Sequence, residues 1–251
     1  MSKEYQTNFS SLYAGNQEYQ SNRRKKAEKT LAVISDAISV EHKQCSVLEI
    51  GCFKGEIGLF LAPFFKEYTG LDIDQKAIDE AKGKILPSNL NFVLGNAEQL
   101  EFKDDSFDIV ICSHVYEHVP SPEVMMSEIK RVMKKNGICY FAAGNRLKII
   151  EPHYRLPFLS WLPKPMAHLY LKLSGKGSFY YESLQTIFGI KKLIRDFHAS
   201  FYSLNIVSEP ERFHSTDMIK PGSLKQKLVT VICRYFPIIF PTYIYILRKK
   251  Q

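Results

Sequence analysis

A chain of 251 residues that is 45% hydrophobic has ample apolar content for a packed core, either one large α/β domain or a core with an appended subdomain. Its five cysteines (Cys45, Cys52, Cys112, Cys139, Cys233) are scattered and form no Cys-x-x-Cys pair. That spacing argues against a zinc site or a disulfide framework and fits a reducing compartment, here taken as cytoplasmic. The net charge of +8 is uneven: residues 1–43 hold 7 Lys/Arg against 5 Asp/Glu, residues 44–150 hold 12 against 15, and residues 151–251 hold 15 against 6.

In chain order, the N-terminal segment is polar, with no apolar h-region, so no cleaved signal peptide is expected. Residues 23–40 show helical spacing, with Leu31, Ile34 and Ile38 on one side. Five short apolar runs follow: CSVLEIG (45–51), YTGLDI (68–73), NFVLGN (91–96), FDIVICS (107–113) and GICYFAAG (137–144). GEIGLFLAPFFKE, QKAIDEAKGKIL and PEVMMSEIKRVMKK stand between them with apolar residues at three- and four-residue steps. This alternation predicts βαβ units and a parallel sheet covered on both faces. After AAGN (142–145) the pattern changes to a segment dense in prolines, aromatics and basic residues, read as an insertion. A last helix–strand pair is expected at SLQTIFGIKKLIRDF (183–197) and LNIVSEPERF (204–213). Residues 224–236 read as a helix and 242–250 as a final strand. The expected division is an N-terminal helical segment (1–43), a core (44–150), an insertion or lid (151–182) and the rest of the sheet (183–251).

In such sheets ligands lie beyond the carboxyl ends of the strands, so the residues that follow each apolar run matter most. After the first run stand Glu49, Gly51 and Gly55. Glycine permits a tight turn and close backbone approach, and an opening helix attracts an anion. After the second run stands Asp72, placed to accept both hydroxyls of a ribose, whereas Asp74 reads as a helix cap. A dinucleotide fingerprint needs glycine at 51, 53 and 56, where this chain has Gly51, Phe53 and Glu56. No P-loop Gly-Lys-Ser/Thr follows either. A ligand with ribose and adenine but no phosphate tolerates such a turn, and S-adenosyl-L-methionine is one, its carboxylate and amine held by backbone groups.

The ordered set VLEIGCFKG, GLDID, GNAEQLEF, FDIVICSHVYEHV and RVMKKNG resembles the core of class I S-adenosylmethionine-dependent methyltransferases (type-11), in the branch that contains ubiquinone and menaquinone methyltransferases. The resemblance covers residues 45–144. It implies a doubly wound, Rossmann-like, seven-stranded and mostly parallel sheet with an antiparallel last strand, here with a helical, aromatic insertion after the fifth strand. It also implies a cofactor site of Glu49, Gly51, Cys52, Gly55, Asp72, Ile73, Asn96, Ala97, Ser113 and His114. In that site Asp72 binds the ribose, Ile73 packs on adenine, and Asn96 with the Ala97 N–H reads the adenine edge. Phe53 and Asn96 depart from the usual glycine and aspartate.

Methyl transfer from an activated sulfonium needs positioning and water exclusion, and a hydroxyl acceptor also needs a base. His118, His114 and His153 are the candidate catalytic residues. His114-x-x-Glu117-His118 superficially matches an inverted metalloprotease motif, but it follows a strand rather than lying on a helix, and no metal is predicted. The insertion, with Trp161, Phe158, Lys164 and Lys172, reads equally as a cap packed on the core or as an interfacial patch. A small-molecule or lipid-linked acceptor is therefore expected, with an anionic membrane surface left open as a partner. A tRNA or rRNA methyltransferase using the basic half and a non-catalytic binding protein are the competing classes. The apolar window 228–247 is broken by Arg234, Pro237 and Pro241, which argues against a membrane span.

Overall fold

The computed structural model describes residues 17–250, so residues 1–16 of the predicted N-terminal segment lie outside the described residues. The five apolar runs form strands β1 (Ser46–Ile50), β2 (Glu67–Asp72), β3 (Leu90–Leu94), β4 (Phe107–Ser113) and β5 (Met133–Gly144). Helix α1 (Gln17–Ala37) precedes them, and α2 (Glu56–Leu61), α3 (Gln75–Lys82) and α4 (Pro122–Val132) connect them. The insertion holds a small hairpin, β6 (Ile150–Glu151) with β7 (Leu156–Pro157), and helix α5 (Lys164–Leu173). Then come α6 (Ile187–Leu193), β8 (Phe197–Phe201), α7 (Ser203–Ser208), α8 (Leu224–Tyr235) and β9 (Thr242–Lys249).

The sheet order is β3-β2-β1-β4-β5-β9-β8, and β9 runs antiparallel to both of its neighbours. Ile109, Val110, Ile111 and Cys112 of β4 are all buried because helices cover both faces. Alternate residues sort to opposite sides. Leu48, Val110 and Phe141 pack with α4 and α6, whereas Val47, Ile111 and Tyr140 pack with α1 to α3. Asp74 caps α3, its Oδ1 accepting the Ala77 N–H at 3.2 Å.

One expected element is corrected. Residues 204–213 do not form the strand; α7, from Ser203, covers residues 204–208, and the strand is β8, which starts seven residues earlier. Only Phe197 of β8 is buried, because β8 is an edge strand. Its pairing is set by the ladder to β9 rather than by its own apolar pattern. The predicted helix over 183–197 is confined to α6, since Phe197 is claimed by that same ladder.

The order of strands reverses between β1 and β4, so the ligand crevice opens beyond their carboxyl ends. The insertion starts at the same end, directly after β5. Its two ends are held side by side by a bridge between Asn145 and Gln185, and the Arg146 N–H donates to Gln185 O at 2.9 Å. A separate small core of Leu156, Leu159, Ala167, Leu171 and Tyr180 fills it.

Candidate cofactor and acceptor site

β1 ends in a turn at Gly51, whose φ of 73° suits glycine. A Cβ there would stand 2.6 Å from Val115 Cγ2, so glycine also lets the β1 turn touch the loop after β4. Gly51 and Cys52 both donate their N–H to Leu71 O, at 2.8 and 3.0 Å. Phe53 takes up the left-handed conformation that glycine usually fills, with φ at 52°. Its buried ring lies under two cations, 5.6 Å from the Arg23 guanidinium and 5.5 Å from the Lys54 ammonium. Its N–H donates to Asp72 Oδ2 at 2.7 Å, while Asp72 Oδ1 accepts the Asp74 N–H at 3.0 Å. Gly55 donates to Cys52 O at 2.9 Å. Four N–H groups of the turn are thus committed inside the protein, and α2 is only six residues long. The amino-acid end of a cofactor therefore needs donors beyond these four.

Sequence reasoning missed a cation that stands close by. Lys26 of α1 is half-buried, one turn before buried Thr30, and lies within the fields of Arg23, Glu49 and Glu117. Burial first, and Arg23 second, bring its pKa down to about 7. The apolar stripe of α1, continued one turn toward its start, would have found it. Glu49 is buried on β1 and accepts the Tyr68 hydroxyl at 3.0 Å. Burial pushes its pKa up to about 8, against that bond and the nearby cations. Burial also raises Asp72, despite the N–H groups of Asp74 and Phe53.

Beyond β2 and β3 lie Ile73, half-buried, and Ala97, buried. Asn96 Oδ1 accepts the Glu98 N–H at 2.8 Å, so its amide oxygen is already engaged in a local turn. Glu98 in turn accepts the Ser121 N–H, fixing this loop to the start of α4.

Beyond β4, Ser113 Oγ and Glu117 Oε2 are buried with no hydrogen-bond partner among the described residues. His114, with φ at 60°, donates its N–H to Ala142 O at 2.8 Å and brings Nδ1 to 3.2 Å from Glu117 Oε1. Burial, helped by Lys26, lowers His114 to about 4, so it is neutral near pH 7. Burial alone would raise Glu117, but the hydrogen bond from His114 and the surrounding imidazoles hold it at about 2. His118 is likewise brought down to about 4 by burial.

The insertion brings further titratable groups against this loop. His153 meets His118 edge to face, with ring centroids 5.1 Å apart. Its Nδ1 lies 2.6 Å from Oε1 of fully buried Glu151. Glu151 Oε2 accepts the N–H groups of His153 and Tyr154 at 2.8 and 2.9 Å. Burial pulls the His153 pKa down, but the Glu151 bond and the fields of Glu182, Glu151 and Glu117 win and hold it above the ordinary value. Glu151 was also missed; its spacing of two from His153 was the available signal. Among the described residues, no three His, Cys, Asp or Glu stand together in a metal-holding arrangement.

A family model described as a methyltransferase domain matches residues 48–141, the stretch that runs from β1 through β5. The core is a class I methyltransferase domain. Its family uses S-adenosyl-L-methionine. A ubiquinone biosynthesis O-methyltransferase of Photobacterium profundum is 32% identical over 103 residues, 40% of this chain and 44% of its own. A fatty-acid O-methyltransferase of Mycolicibacterium smegmatis is 34% identical over 116 residues, 44% of this chain and 39% of its own. The matched stretch thus spans under half the length of each relative. The plantazolicin methyltransferase BpumL, solved with a desmethyl substrate analogue and SAH, superposes with a TM-score of 0.57 at 15% identity, covering 94% of this chain and 87% of its own. That likeness concerns the fold.

The methyltransferase core fits the cofactor. Asp72 accepts N–H groups from Phe53, Asp74 and Ile73, and a carboxylate has about four acceptor sites, so it keeps room for a further donor. At the end of β4, buried Ser113 Oγ has no hydrogen-bond partner among the described residues, a place that a ligand group would satisfy. Among the described residues no helix is long and apolar enough to cross a membrane.

Proposed function

We propose that the protein methylates a hydroxyl of a small-molecule or lipid-linked acceptor in the cytoplasm, with His153 as general base and Glu151 as its positioning partner. The observation that carries this reading is the buried 2.6 Å Glu151–His153 pair beside His118. The two relatives named above are O-methyltransferases, one of them acting on fatty acids, which supports an oxygen acceptor with apolar character.

When bound, the cofactor supplies a methyl group already activated on a sulfonium. The chain supplies positions and a proton acceptor. Asp72 takes the ribose hydroxyls; Ile73, Ala97 and Asn96 face the adenine; Glu49 holds the floor of the turn with Gly51, Cys52 and Gly55. Lys26 and Arg23 take the carboxylate, since four N–H groups of the turn are committed elsewhere. Ser113 and His114 border the methyl group. Burial makes His114, despite its partner Glu117, and His118 weak proton acceptors that serve as hydrogen-bonding walls, whereas Glu151 holds the proton affinity of His153 above the ordinary imidazole value. Residues 151–182 form the acceptor side.

The test is transfer of labelled methyl groups from S-adenosyl-L-methionine to a panel of phenols, fatty acids and hydroxylated lipids. Label should enter an ether or ester, and His153→Ala should abolish this while S-adenosylhomocysteine still binds. Transfer by His153→Ala at the full rate would overturn the assignment of the base. Transfer confined to RNA would overturn the acceptor class.

A further inference from the structure

The exposed surface of the insertion carries charge of one sign. Between Asn145 and Glu182 stand exposed Arg146, Arg155, Lys172 and Lys176 and half-buried Lys148 and Lys164, against two acids, Glu151 and Glu182, that are both buried. Among these cations runs a second apolar face. Helix α5 buries Ala167 and Leu171 against the small core, yet Met166, Leu169 and Leu173 are exposed on a stripe of their own. Trp161 and Phe158, packed edge to face at 5.0 Å, extend it, and both are exposed.

Helix α8 repeats the pattern. Leu224, Leu228, Val231 and Tyr235 form an exposed stripe, with Leu224 82% and Tyr235 73% accessible. From Met218 to the end of the chain there are seven Lys/Arg and no Asp/Glu. α8 leads into a short turn that carries exposed Phe236 and Ile239. That turn is tied to the start of the insertion, since the Asn145 side chain donates to Ile238 O and Phe240 O at 2.7 and 2.8 Å.

We propose that these two stripes seat the protein on an anionic phospholipid surface, so that the acceptor side is loaded from the bilayer. This rests on the methyl-transfer reading for its consequence, though not for the surface itself. Apolar stripes flanked by Lys and Arg, with an exposed tryptophan, are what an interfacial helix needs. A protein partner is disfavoured, because interface cores exclude lysine. A second copy would set cation against cation. RNA would satisfy the charge and leave the apolar stripes in water.

The experiment is co-sedimentation of the full chain with vesicles of phosphatidylcholine, with or without phosphatidylglycerol. Two variants accompany it, Leu169→Glu with Leu173→Glu and Leu228→Glu with Tyr235→Glu. S-adenosylhomocysteine titration of every preparation reports the folded core. Binding to the anionic vesicles should be at least about tenfold tighter than to the neutral ones, fall with salt, and drop about tenfold or more in each variant. Absence of vesicle binding, vesicle binding untouched by both variants, or self-association abolished by them in place of vesicle binding would each overturn the proposal. Vesicle binding with no S-adenosylhomocysteine binding would keep the surface and sink the methyl-transfer reading instead.

Discussion

Asp72 Oδ2 accepts the backbone N–H of Phe53 at 2.7 Å, so the carboxylate that ends β2 also braces the turn that ends β1. Asp72→Ala removes the brace and, with it, the ribose contacts proposed above. Charge-assisted hydrogen bonds of this kind are worth about 1.5–3 kcal/mol, so affinity for S-adenosylhomocysteine should fall by about one to two powers of ten. Calorimetric titration, with NAD as the control ligand, measures it.

His153 must lose a proton to act as a base, and its proton affinity is held above the ordinary imidazole value by Glu151 and its neighbours. The rate should therefore rise with pH along a limb centred above about 6.5. Glu151→Gln removes the negative partner, moves that limb to lower pH, and cuts the plateau rate by about tenfold or more as the ring loses its orientation. The KM for the cofactor should stay unchanged. Stability follows the same sign: the pair's contribution is full below the unfolded imidazole pKa and fades as pH rises through the folded one.

Lys26→Met should weaken S-adenosylhomocysteine but spare 5′-methylthioadenosine, which lacks the amino-acid end. Loss of one charge-assisted contact predicts about a tenfold effect on the first ligand. Equal weakening of both would assign Lys26 to the support of Glu49 and α1 rather than to the cofactor.

Glu49, held at about 8, keeps a proton in the folded state over a window where the unfolded chain has released it. Its contribution to stability is therefore greatest below about 4.5 and declines as pH rises through 8. Glu49→Gln should flatten that slope and raise the thermal midpoint at pH 8 more than at pH 5. Thermal unfolding of both proteins across the range tests it.

Gly51→Ala sets a Cβ 2.6 Å from Val115 Cγ2 at a φ of 73°. Strain and overlap together should cost about 2–3 kcal/mol in urea unfolding. Adding Val115→Ala should recover only the part due to overlap.

The strands of the core were legible because a parallel sheet buries both faces, which writes residues 109–112 of β4 as an unbroken apolar run. β8 was illegible for the opposite reason: it exposes most of its length, and its partner β9 lies far along the chain. In the site, Gly51 and Asp72 were readable from local turn and strand-end chemistry. Lys26 was hidden in an Arg-Arg-Lys-Lys run that resembles a solvated face, and only the packing of α1 turns Arg23 and Lys26 inward while Arg24 and Lys25 stay exposed. The proposed ranking of the three histidines rests on the hairpin that carries Glu151, since local spacing shows neither the Glu151–His153 contact nor the burial of His114 and His118.

The bridge between Asn145 and Gln185 has an evolutionary corollary. Because the two ends of the segment are held side by side, its length and content scarcely affect the closure entropy that the core must bear. A lineage can lengthen, trim or exchange it without disturbing a single strand register. Acceptor preference should therefore turn over faster in descent than cofactor preference, and proteins that share this core by common ancestry need share no substrate.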